Sequence, residues 1–143
     1  MQDLITKCLN IATRAHSGQF RRDGVTEYIV HPITVADKVA KFGYEYVCVA
    51  YLHDVLEDTD FTAKDLLAQG IPSNIVSAVQ TLTKEKDTSS WRSGYYAQYL
   101  YDIKNNELAR RVKVADMLSN LGDDPTDKQI VKYAKGLVYL MVE

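Results

Sequence analysis

Apolar side chains recur along this chain at intervals of three and four residues, and hardly anywhere at intervals of two. Such spacing lines one face of a helix, whereas alternation would mark a strand. Leu4, Cys8, Ile11, Ala12 and Ala15 predict a first helix over about residues 3–16. A polar connector with Gly18 and Gly24 follows over 17–26. Tyr28, Ile29 and Val30 are expected to be extended ahead of Pro32, which restricts the residues before it. Pro32 suits the first turn of a second helix over about 32–42, closed by Gly43. A third helix over about 44–57 is apolar on most sides, which predicts a buried central element. Thr62 caps a short helix ending near Gly70, and Pro72-Ser73 opens another that runs to about 83. A polar loop over 84–90 leads to helices over about 91–104 and 107–121, divided by Asn105-Asn106. Pro125-Thr126 introduces a last amphipathic helix. The expected fold is all-α, a single compact helical bundle formed by residues 1–143 as one domain.

Composition excludes more than it identifies. The 46% hydrophobic content supports one sizeable core. A net charge of −2 gives no electrostatic footprint for nucleic acid or a membrane surface. No apolar run is long enough to span a bilayer, and no signal segment precedes the first helix. Cys8 and Cys48 fall on apolar helix faces, which fits buried free thiols and a cytoplasmic setting. Ten tyrosines are many for this length. Most are expected to pack in the core or at an interface, which leaves homo-oligomer formation open.

The candidate chemistry lies in Leu52-His53-Asp54-Val55-Leu56-Glu57-Asp58-Thr59. A His-Asp doublet and a Glu-Asp doublet here share one expected helical turn. His53 and Asp54 project about 100° apart and can grip one ion from the side of a helix. His31 upstream and Asp116 downstream can complete a set of two imidazoles and two carboxylates. That set suits a borderline divalent cation such as Mn²⁺, Fe²⁺, Co²⁺ or Zn²⁺. Taken singly, each residue has a plainer reading as a cap, a core histidine or a solvated acid. Asp116, however, stands among Val112, Val114, Ala115 and Leu118, where an unpartnered acid is unfavourable. Glu57 and Asp58 follow His53 and Asp54 by four residues. At the end of a helix they oppose its dipole, a local cost that hints at a role in handling protons.

Three further segments accompany the doublets. They are Ala15-His16-Ser17-Gly18-Gln19-Phe20-Arg21-Arg22-Asp23-Gly24, Tyr28-Ile29-Val30-His31-Pro32-Ile33 and Lys113-Val114-Ala115-Asp116. Together they resemble the H…HD…D pattern of HD-domain phosphohydrolases, and more closely the hydrolase domain of RelA/SpoT alarmone enzymes and the small alarmone hydrolases. The resemblance covers about residues 5–124. It implies a helical HD domain with one metal, usually Mn²⁺, held by His31, His53, Asp54 and Asp116, with Fe²⁺, Co²⁺, Zn²⁺ or Mg²⁺ as alternatives. It implies hydrolysis of the 3′-pyrophosphate of (p)ppGpp, with Glu57 and Asp58 serving the water. It also implies that Arg21, Arg22 and Asn120 contact the nucleotide, and Lys113 can offset substrate charge. His16 reads as a loop-side hydrogen-bonding residue. Met117 and Ser119 depart from the family's Arg or Leu and His, and the segment after Leu121 lacks the usual Arg-Thr stretch. These departures bear on guanosine specificity more than on metal chemistry. The leading expectation is a pyrophosphohydrolase with a small-molecule nucleotide substrate. A nucleotidase or other nucleotide pyrophosphohydrolase is the enzymatic alternative, and a non-catalytic nucleotide-binding sensor is the alternative of another class.

Overall fold

The computed structural model describes residues 1–84 and 94–142. Its elements are α1 (Gln2–Ala15), α2 (Val30–Val39) with a 3₁₀ extension Ala40–Phe42, α3 (Tyr44–Leu52), α4 (Val55–Asp58), α5 (Ala63–Ala68), α6 (Ser73–Leu82), α7 (Tyr95–Lys104), α8 (Glu107–Leu121) and α9 (Asp127–Met141). Among the described residues the fold is all-α, with a lone antiparallel bridge between Phe20 and Glu27 in the α1–α2 connector. The expected loop over 84–90, from residue 85 on, and the expected helix start at Trp91 lie outside the described residues.

α3 is the hub. Cys48, Val49, Ala50 and Leu52 are buried, and the helix packs against α1, α2, α6 and α8. This matches an element whose apolar side chains leave no polar face. α8 is the second hub, packed on α2, α3, α6, α7 and α9. Gly136 of α9 permits a close approach to α8, since a Cβ there would lie 2.7 Å from Cε of buried Met117. Thr62 and Thr126 each form a capping box, with Asp65 and Gln129 respectively, so α5 and α9 begin where their sequence signals stand.

Two expectations need correction. The stretch before Pro32 is not extended: Ile29 is already helical and α2 begins at Val30. Pro32 then sits in the first turn, where a missing N–H breaks no helical bond. The helix expected over 44–57 is broken at His53-Asp54. The His53 ring Nδ1 lies 2.6 Å from the Ala50 carbonyl, which also accepts the His53 backbone N–H at 3.4 Å. These contacts tighten the chain, and α4 starts afresh from Asp54. Glu57 and Asp58 therefore lie in the first turn of a new helix, not simply at the end of a long one. α4 is a single turn, so the two acids stand in its first turn and at its C-terminal end alike.

Candidate metal centre

Three parts of the fold converge on one point. α2 brings His31, the α3–α4 break brings His53 and Asp54, and α8 brings Asp116. Nε2 of His31 lies 2.7 Å from Oδ1 of Asp116 and 3.9 Å from Oδ2 of Asp54. Nε2 of His53 lies 3.1 Å from Oδ2 of Asp54 and 3.4 Å from Oδ1 of Asp116. His31 and His53 are 4% exposed and Asp116 is 6% exposed. Ligand atoms of His31, His53 and Asp54 all lie within 4.8 Å of one another.

The hydrogen bonding sets the tautomer of His53. Its Nδ1–H donates to the Ala50 carbonyl, so Nε2 is the nitrogen that faces the carboxylates and the one whose lone pair a cation would take once its proton leaves. That Nε2 is buried, and although both carboxylates are near, neither meets it in hydrogen-bonding geometry. Such an orphaned atom between two carboxylates fits a divalent cation. His31 is supported differently, by Ser119 Oγ at 3.4 Å from Nδ1. A hydroxyl can donate or accept, so Ser119 serves either tautomer of His31.

The charges respond to this crowding. Burial acts to lower His53, but Asp54 and Asp116 outweigh it and raise the imidazole well above its ordinary value. Burial acts to raise Asp54, yet His53 holds it at about 2. Asp116 is likewise held low against burial, chiefly by Lys113, whose Nζ lies 3.2 Å from its Oδ2. The His53 proton and the Lys113 ammonium group thus balance the carboxylates, and cation binding would release the proton from His53.

Glu57 and Asp58 lie beside Asp54, with carboxylate oxygens of all three within 4.8 Å. Burial, then the charges of Asp54 and Glu57, push Asp58 up to about 6. Glu57 accepts the Lys84 backbone N–H at 2.7 Å. Tyr28 was not among the residues expected here. Its hydroxyl donates to Asp54 at 2.7 Å and lies 3.3 Å from Asp58, so it braces a candidate ligand and a candidate base together. His16 is buried against the Tyr28 ring, with centroids 4.8 Å apart. Its Nδ1 donates to Gln19, whose amide donates to the Asp58 carbonyl. The Tyr-x-x-His spacing was the available signal for Tyr28, but a tyrosine ahead of α2 reads equally well as packing.

Tyr28, His31, Asp54, Glu57, Asp58 and Asp116 line a cleft of about 150 Å³, together with Arg21, Lys84, Tyr96, Lys113, Asn120, Lys132 and Tyr133. Arg21, Lys113 and Asn120 therefore stand at the cleft beside the converging histidines and aspartates. Arg22 does not line this cleft. It is bound to Gln129 and to the carbonyls of Asp123 and Asp124 in the α8–α9 connector. Arg21 is tied to the same connector through Asp123 at 2.8 Å, and to Asn120 at 3.3 Å. Lys84 and Lys132 were missed, because isolated lysines 48 positions apart look like solvated surface.

A sequence profile of the HD domain matches residues 8–115. The chain belongs to the HD-domain family. The profile takes in three of the four converging residues of this HD domain and stops one short of Asp116. Relatives include a guanosine-3′,5′-bis(diphosphate) 3′-pyrophosphohydrolase of Borreliella burgdorferi, 31% identical over 82% of this chain and 18% of the relative. The bifunctional (p)ppGpp synthase/hydrolase SpoT of Escherichia coli is 32% identical over 78% of the chain and 16% of its own length. The HD domain thus spans under a fifth of these curated relatives. A solved structure of a metazoan SpoT ortholog, reported to hydrolyse ppGpp, superposes with a TM-score of 0.80 at 26% identity, over 97% of this chain and 85% of that one. No helix among the described residues is long and apolar enough to cross a membrane.

Proposed function

We propose that this HD domain is a metal-dependent pyrophosphohydrolase that removes the 3′-pyrophosphate of (p)ppGpp. In this reading His31, His53, Asp54 and Asp116 hold one Mn²⁺. The observation that carries it is the buried, unpartnered Nε2 of His53 facing two carboxylates beside a second histidine. The names of the relatives supply the substrate class.

The ion, when bound, supplies Lewis-acid charge for the phosphoryl group and acidifies water beside it. The chain's own groups do the rest. Water attacks the phosphorus attached to the ribose 3′ oxygen, and the bond from that phosphorus to the 3′ oxygen breaks. Asp58 or Glu57 accepts the water's proton and can return one to the departing 3′ oxygen. Tyr28 fixes the angle between Asp54 and Asp58. Lys113 and Arg21 offset the charge of the substrate. The products are GDP or GTP and pyrophosphate.

Pyrophosphate release from ppGpp by metal-stripped protein, with and without Mn²⁺, tests this reading. Release that needs Mn²⁺ and disappears in Asp54→Ala is the expected result. Bound Mn²⁺ without release would overturn the substrate assignment. A specific observation favours one second reading, a different nucleotide pyrophosphate ester at the same centre. Arg22 is occupied by the α8–α9 connector and does not line the cleft. A nucleotide panel separates the two.

A further inference from the structure

The basic side of the cleft has a feature that metal binding does not explain. Lys84 follows α6, Lys113 lies on α8 and Lys132 lies on α9, and all three line the cleft that holds the metal centre. They share an aromatic backing. Lys84 Nζ and Lys113 Nζ lie 5.8 and 5.6 Å from the centroid of the Tyr99 ring. Lys132 Nζ lies 4.9 Å from that of Tyr96, and the two rings are 6.0 Å apart. Tyr99 is buried and locked by donating to the Leu82 carbonyl at 2.6 Å. Three ammonium groups from three parts of the fold are thus gathered on two neighbouring rings, although like charges repel.

Their neighbours set the sign of the cleft. Its carboxylates are Asp54, Glu57, Asp58 and Asp116, and its fixed cations are Arg21, Lys84, Lys113 and Lys132. These balance. A divalent cation on the two histidines and two aspartates leaves the cleft net positive, ready for an anion. Burial, then the charges of Lys84 and Lys113, lower Lys132, so the lysines do feel one another.

We propose that Lys84, Lys113 and Lys132 form a polyphosphate subsite that holds the distal phosphate of the pyrophosphate group being cleaved. Lys113 links the two parts of the site, since it contacts Asp116. A phosphorus at the metal centre therefore has Lys113 beside it, and the next phosphate along points toward Lys84 and Lys132. Ammonium groups bind phosphate as point charges and need no base contact. The subsite thus selects diphosphate over monophosphate esters, and pyrophosphate is both its product and its ligand. This rests on the reading proposed above, but it can be tested without turnover.

The experiment is calorimetric titration of the metal-loaded protein with inorganic pyrophosphate and, separately, with orthophosphate. Pyrophosphate is expected to bind at least tenfold more tightly. Lys132→Gln should weaken pyrophosphate about tenfold and leave orthophosphate within twofold, while Lys132→Arg stays near the parent. Lys84→Gln, which touches a different element, should repeat the pattern. Unchanged pyrophosphate affinity in both glutamine variants, or an equal loss for both anions, would overturn the subsite. If the pattern holds and ppGpp is not cleaved, the subsite stands and the alarmone assignment falls.

Discussion

Asp58 shows how one residue acquires a role from its surroundings. Its side chain meets solvent, yet partial burial, then the charges of Asp54 and Glu57, push its carboxyl up to about 6. In metal-free protein the folded chain keeps this proton between about pH 4 and 6, where the unfolded chain has lost it. Stability from this group is therefore present at the lower pH and lost as pH rises through that window. Urea midpoints of metal-free parent and Asp58→Asn at pH 4.5 and 7 should diverge, with the parent losing more on going to pH 7. Because the side chain meets solvent, the difference is on the order of 1 kcal/mol or less. Equal slopes would show that the carboxylates do not interact. Of the residues around it, Asp116 was legible in the sequence because an acid on an apolar face demands a partner. Tyr28 and Gln19 were not, because their partners Asp54 and Asp58 lie 26 and 39 positions away.

At the scale of elements, helical periodicity placed α1, α6, α8 and α9 to within a residue or two. It missed the break between α3 and α4. No glycine or proline marks that break, which comes from a histidine ring competing for a backbone carbonyl. The α8–α9 contact depends on a small residue. Gly136→Val would drive a branched side chain into the Sδ–Cε end of fully buried Met117, which must turn aside to admit it. A loss of about 2 kcal/mol in denaturant unfolding is expected. Met117 neighbours Asp116, so metal affinity should fall as well. Unchanged stability would mean that α9 can slide away from α8 without cost.

At the scale of the whole molecule, helices far apart in the chain gather one candidate metal site, and the proposed reading gives it one ion. Binding to the folded state alone stabilises it by about 2.7 kcal/mol at a metal concentration a hundred times Kd. For a chain of this size that is a rise of roughly 8 °C in Tm. Calorimetry of metal-stripped and Mn²⁺-loaded protein should show the rise, and His53→Ala should abolish it while changing the metal-free Tm far less. Identical melting with and without Mn²⁺ would rule out a site formed by folding.

His31 and Asp116 touch at 2.7 Å across a sequence separation of 85 residues. During synthesis, then, three of the candidate ligands emerge long before the fourth. A truncated chain that ends ahead of α8 can build most of the α2–α3 packing yet lacks the carboxylate that closes the cage. If the proposed reading holds, ion uptake would be a completion signal: it would report that the growing polypeptide has reached α8 and that α8 has docked.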